Sequence, residues 1–323
     1  MGFFSSLFKK DKDRQSGKEV SPQTTKDQEE SNFDLLKFDG IRASRIGKMD
    51  YAVLCFQKAL EIREDYEVLG LLAQTYAQSG RMEEAVAPLE RMCELHPEIE
   101  DTALSLSNLF YMTEDYEKMF SWARKATEIN PSSATAKLYE GKALYAARDL
   151  EGAALSLDQA LEFEPAMTEA RLLRAQIHSM KKEYDQAIVL LDAILDNGLD
   201  DDDGALLIKA DILEKTGKKD QAEEIYRQLI QGNPFQMASY VSLALLLLDG
   251  GKHEEAEKVL SDALEMKPDY ADALKARLAI RRAHGDEKGA SEDEQALKKA
   301  LEEGPEIPDF VIKGQKESNV LGL

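Results

Sequence analysis

Small apolar residues recur along this chain at a nearly fixed interval: Ala52, Ala85, Ala153, Ala187, Ala222, Ala256 and Ala290, with Met119 filling the one gap. The separations are 33, 34, 34, 34, 35, 34 and 34 residues. At five of these eight places a proline follows twelve residues later, at Pro97, Pro131, Pro165, Pro234 and Pro268. Ala153, Leu157 and Ala160 illustrate the local pattern, with apolar residues at i, i+4 and i+7 on one face of a helix. A second helix precedes each of these and carries a small residue at mid-length: Gly40, Ala73, Ser107, Gly141, Ala175, Ala210 or Ala244. Five of the turns between them hold a glycine (Gly47, Gly80, Gly217, Gly251, Gly285), and the prolines end the later helix, because the residue before proline avoids helical backbone. A period near 34 predicts an all-α helix–turn–helix solenoid, each unit burying its apolar face only against its neighbours.

The pattern resembles the tetratricopeptide repeat over about Phe33 to Glu303, eight units, best in Leu69, Leu72, Ala73, Tyr76, Gly80, Ala85, Leu89 and Pro97 of the second. The resemblance implies a right-handed superhelix whose concave groove, lined by the first helices, binds peptides or proteins. Carried over by repeat phase, the groove positions are Leu104, Asn108, Tyr111 and Met112, then Leu138, Lys142 and Tyr145, then Leu172, Gln176, Ser179 and Met180. These are mostly apolar with a few polar contacts, and an apolar surface rimmed by polar groups marks a partner site. The expected occupant is an apolar or amphipathic segment of a protein partner; self-association or the chain's own tail would be the other ways to cover the strip. The family's clamp for chaperone carboxylates is not expected: Lys37 fits one of its places, but Ile41, Gln74, Asp101 and Ser105 stand at the others.

Three departures stand out. In the third unit Met119 holds the alanine place and Ala123 the large apolar place, an exchange of volumes. The fifth unit ends in Asn197-Gly198-Leu199 and runs into Asp200–Asp203, so a looser junction is expected there. In the eighth, Glu294 takes an apolar place and Glu292, Asp293, Lys298, Lys299, Glu302 and Glu303 crowd the second helix, which reads as a cap with a wettable outer face.

Outside the array, residues 1–32 form a separate segment. Asp11–Ser31 is almost empty of apolar side chains, predicting a disordered linker. Ahead of it Phe4, Leu7 and Phe8 share one face of a short amphipathic stretch, with Phe3 flanking them and Lys9, Lys10, Lys12 and Arg14 following. Such a segment would contact a membrane surface weakly and reversibly, and an assembly factor tethered this way is the alternative reading. Gly2 with Ser6 also fits an N-myristoylation pattern. Beyond the array (33–304), the tail 305–323 carries Ile307, Phe310, Val311 and Ile312, expected to fold back on the last pair.

Composition narrows the function classes. Sixty-two acidic against forty-one basic residues in 323 give a net charge of −21, which repels a phosphate backbone and argues against nucleic acid as partner. No apolar run reaches the ~20 residues of a membrane span, and the first residues lack a signal-peptide pattern, so a cytoplasmic location is expected. Cys55 and Cys93 read as small buried hydrophobes. No phosphate loop, nucleophile elbow or HExxH pair occurs, and His96, His178, His253 and His284 fall in different units. Asp200–Asp203 lacks the alternation of a calcium loop and reads as a solvated loop in which Asp203 or a neighbour caps the next helix. The expectation is a non-enzymatic scaffold without metal or cofactor.

Overall fold

The computed structural model describes residues 22–196 and 203–302, and among them sixteen helices follow one another in pairs. They are α1 (Pro22–Arg45) and α2 (Met49–Ile62), α3 (Tyr66–Gln78) and α4 (Met82–Leu95), α5 (Glu100–Met112) and α6 (Tyr116–Ile129), and α7 (Ala134–Ala146) and α8 (Leu150–Phe163). Then come α9 (Thr168–Met180) and α10 (Tyr184–Leu195), α11 (Asp203–Lys215) and α12 (Lys219–Gly232), α13 (Met237–Asp249) and α14 (His253–Met266), and α15 (Ala271–His284) and α16 (Glu287–Glu302). Two compact units divide within α7, the first ending at Tyr139 and the second beginning at Glu140.

Within each unit the packing follows the periodic residues. The alanine places Ala52, Ala85, Ala153, Ala187, Ala222 and Ala256 are all buried, as are Met119 and Ala123. The small mid-helix residue lets the two helices of a pair close up. A Cβ on Gly141 would lie 2.8 Å from Leu157 Cγ, and one on Gly40 would lie 2.5 Å from Phe56 Cε1. First helices also pack on the second helix before them: α3 on α2, α5 on α4, α9 on α8, α11 on α10, α13 on α12 and α15 on α14. The residues that meet there are small or apolar. Val68, Thr102, Ala136, Ala170, Ala205, Ser239 and Ala273 occupy one repeat phase and are all fully buried.

The eight inter-helix turns share one hydrogen bond, from an amide three residues past the end of the first helix (two after α15) back to a carbonyl five residues earlier, as in Arg81 N to Tyr76 O at 2.9 Å and Glu183 N to His178 O at 2.9 Å. This closure needs a left-handed residue between. Five turns supply glycine there, with φ of 74–80°, while Glu114, Arg148 and Lys182 adopt φ of 58–63° with a side chain attached. No atom lies within 4 Å of a Cβ built on Gly80, so substitution there meets backbone strain alone. Gly80→Ala is expected to destabilise by about 1 kcal/mol. Lys182→Gly should change stability by less than about 1 kcal/mol, because relief of strain is offset by the extra freedom of the unfolded chain. Equal effects of the two in urea titrations would show that left-handed backbone is not what selects glycine.

Several expectations need correction. Residues 22–31 are helical rather than linker: Pro22 opens α1, where its missing N–H costs nothing, and Glu30 reaches Arg63 at 3.5 Å while that guanidinium lies 4.0 Å over the Phe33 ring. Cys55 is buried but Cys93 only half so; both are free thiols pushed above the ordinary range by burial. Asp203 is the first residue of α11, and its carboxylate accepts from Asn233 Nδ2 at 2.6 Å; residues 197–202 and 305–323 lie outside the described residues. His253 and His284, although in different repeats, meet edge-on with ring centroids 5.1 Å apart, because the start of α14 and the end of α15 sit on neighbouring turns.

The largest departure is in the eighth repeat. Its second helix is not uniformly wet, for Asp293 is only 2% exposed. Asp293 Oδ1 accepts from Arg277 Nη2 at 2.6 Å and Oδ2 accepts from Arg277 Nε at 3.1 Å, while Arg281 Nη1 stands 3.2 Å from Oδ2. Arg277 Nη1 also donates to Ser261 Oγ at 3.0 Å, and Arg281 Nε to Glu257 Oε1 at 2.8 Å. Burial works against the Arg281 charge, but Glu257, Asp293 and Asp286 outweigh it and hold the guanidinium pKa above its ordinary value. Glu294 is exposed and pairs with Arg282 at 3.0 Å.

Candidate peptide-binding face

The groove positions differ in exposure, and the two exposed ones, Asn108 and Met112, are both on α5. On α5 of the first unit, Leu104, Asn108, Tyr111 and Met112 lie at i, i+4, i+7 and i+8, which is one face of the helix. Leu104 is half-buried against the cluster of Ala103, Ala126 and Ala136, Tyr111 is half-buried, Asn108 is exposed and Met112 is 56% exposed. On α3 the same phases carry Gln74 and Gln78, both exposed. The accessible face of α3 and α5 therefore offers a thioether and part of a phenol ring beside three neutral amides. Leu138, at the start of α7, is buried.

In the second unit the equivalent side chains are buried or half-buried. Lys142 is buried and pairs with Glu169, across from α7 to α9. Tyr145 is 6% exposed, its hydroxyl 3.5 Å from Met180 Sδ, and burial pushes its phenol above the usual value while Arg148 opposes the shift. Gln176 and Ser179 are buried; Leu172 and Met180 remain half-buried, Leu172 packing against the core around Ala175, Ala187 and Leu191. Side chains at these repeat phases thus range from buried to exposed.

Among the described residues no group of three or more histidine, cysteine, aspartate or glutamate side chains is gathered as metal ligands, and no helix is long and apolar enough to cross a membrane. Phe3, Phe4, Leu7 and Phe8 lie outside the described residues.

Paired helices, of 12–14 residues from α2 to α15, stacked through small residues and closed by turns with one hydrogen-bonding pattern, define an α-solenoid of helix–turn–helix repeats. Family models of the tetratricopeptide repeat match residues 66–98, 117–166, 144–212, 207–271 and 241–308. The chain belongs to the tetratricopeptide repeat family, whose members bind protein or peptide partners and typically serve as non-catalytic scaffolds. It is 24% identical over 227 residues to the TPR repeat-containing protein YpiA of Bacillus subtilis, covering 69% of this chain and 52% of that protein. It is 27% identical over 155 residues to Tetratricopeptide repeat protein 21B of Xenopus laevis, covering 42% of this chain and 12% of that protein. The chain therefore spans about half or less of these curated relatives. Among solved structures, a tetratricopeptide repeat protein from Parabacteroides merdae superposes with a TM-score of 0.65 at 16% identity, covering 77% of this chain and 99% of that one. PilF of Pseudomonas aeruginosa gives 0.52 at 16% identity, over 64% and 94%. Both likenesses concern the fold.

Proposed function

We propose that this protein is an interaction scaffold that holds an apolar or amphipathic segment of a partner protein against the first-helix face of its first unit, with Asn108, Tyr111 and Met112 in contact. The observation that carries the reading is the exposure of Met112 and Asn108 on one face of α5, with Gln74 and Gln78 exposed at the same phases of α3. A methionine can reshape itself around an apolar partner side chain, and the amides can pair with backbone groups of the incoming segment.

A photo-crosslinking residue placed at Gln78 in the full chain should capture a discrete polypeptide in its native cell. Met112→Asp should then reduce the yield by ~10-fold or more, the effect of losing an interface anchor. The same adducts from a crosslinker at Glu90 on α4, or a yield indifferent to Met112→Asp, would remove the proposal.

A further inference from the structure

Every first helix after α1 hides one phase against the helix before it, as the buried series from Val68 to Ala273 shows. At that phase α1 carries Leu35, which is 51% exposed, and one turn on Phe38 is 62% exposed. Arg42 continues the stripe in the open, where Thr75, Leu109, Ile177 and Ile212 are buried at its equivalents. The edge of α1 thus presents large apolar side chains where a preceding second helix would lie, and no described helix covers it.

We propose that the chain's own first residues occupy this edge, with Phe3, Phe4, Leu7 and Phe8 lying against Leu35 and Phe38 where, in the later repeats, the preceding second helix lies. Chain length permits it. Thirteen residues, 9–21, separate Phe8 from Pro22 and can span up to about 43 Å, whereas Phe38 lies only about 24 Å along α1 from Pro22. Charge favours it. A segment returning antiparallel to α1 draws Lys9, Lys10, Lys12 and Arg14 past Asp27, Glu29 and Asp34, which are exposed on the first half of that helix. Area favours the segment over a second copy of the chain: Leu35, Phe38 and the neighbouring Ile46 offer far less than the roughly 800 Å² per partner of a stable dimer. A tethered segment at an effective concentration on the order of millimolar needs much less. The basic apolar segment would then be held on the protein, and a negatively charged membrane would have to compete for it.

The chain has one tryptophan, so Phe4→Trp in a Trp122→Phe background gives an emission that reports on position 4 alone. In the full-length protein this emission should be blue-shifted and shielded from acrylamide. Leu35→Ser/Phe38→Ser should remove both properties while leaving the far-ultraviolet circular dichroism unchanged. The same serine variant should bind phosphatidylcholine–phosphatidylserine vesicles at least ~3-fold more tightly, since a larger fraction of the segment is free. Equal quenching with and without the serine substitutions would overturn the proposal, as would equal vesicle affinity. A dimer lost in Leu35→Ser/Phe38→Ser but retained when residues 1–10 are deleted would assign the edge to a second copy instead.

Discussion

Asp293→Ala is expected to destabilise the last repeat by about 3–5 kcal/mol, the loss that follows when one partner of a buried ion pair is removed. The aspartate is the point at which Arg277 and Arg281 converge, and its removal leaves two largely enclosed guanidinium groups short of an acceptor. Because stability in a repeat array is a sum of units and their interfaces, the damage should be local. Hydrogen exchange of α15 and α16 should accelerate well before that of α9 and α10. Arg277→Met/Asp293→Leu, which replaces the pair by apolar groups, should recover most of the loss, since such exchanges are often neutral. A change below about 1 kcal/mol for Asp293→Ala, or protection lost evenly across the second unit, would show that the network does not hold the cap.

Met119→Ala should cost about 2–5 kcal/mol, because a fully buried side chain is truncated in a core that relaxes only partly. Ala123→Leu alone should cost about 1–3 kcal/mol by overpacking. Together they restore the order of volumes seen at Ala153 and Leu157, so the double variant should be more stable than the sum of the singles predicts by about 1 kcal/mol or more. Ser107 makes the test more demanding, since its hydroxyl donates to the Met119 carbonyl at 3.0 Å and fixes the backbone of α6 there. Strict additivity in denaturant unfolding would mean that the third repeat does not use the exchange.

What the sequence made legible is what periodicity controls. Ala153 and Leu157 are at full burial, all five turn glycines are left-handed, and the helices ahead of Pro97, Pro131, Pro165, Pro234 and Pro268 each end two residues before the proline. Charge was the weaker guide. The run around Asp293 reads as a solvated face because nothing local distinguishes it from Glu292 or Glu294. The signal lay one helix earlier, in Arg277 and Arg281 spaced four apart on one side of α15. The start of α1 was missed for a related reason. Composition reports whether a segment can bury itself, and 22–31 is instead an extension of a helix anchored further along at Phe33. For the groove positions the repeat phase carried no information on depth, since Tyr145 and Gln176 are buried while Asn108 and Met112 are exposed.

That difference in depth decides what a saturating mutational scan would report. Changes at Lys142, Tyr145 and Gln176 should lower abundance and function together, since each of these side chains is part of the packed interior. At Asn108 and Met112 the protein should accumulate normally while its function falls. The two phenotypes come apart only where the face is open, and a map of where they separate would trace the partner's footprint without the partner being known.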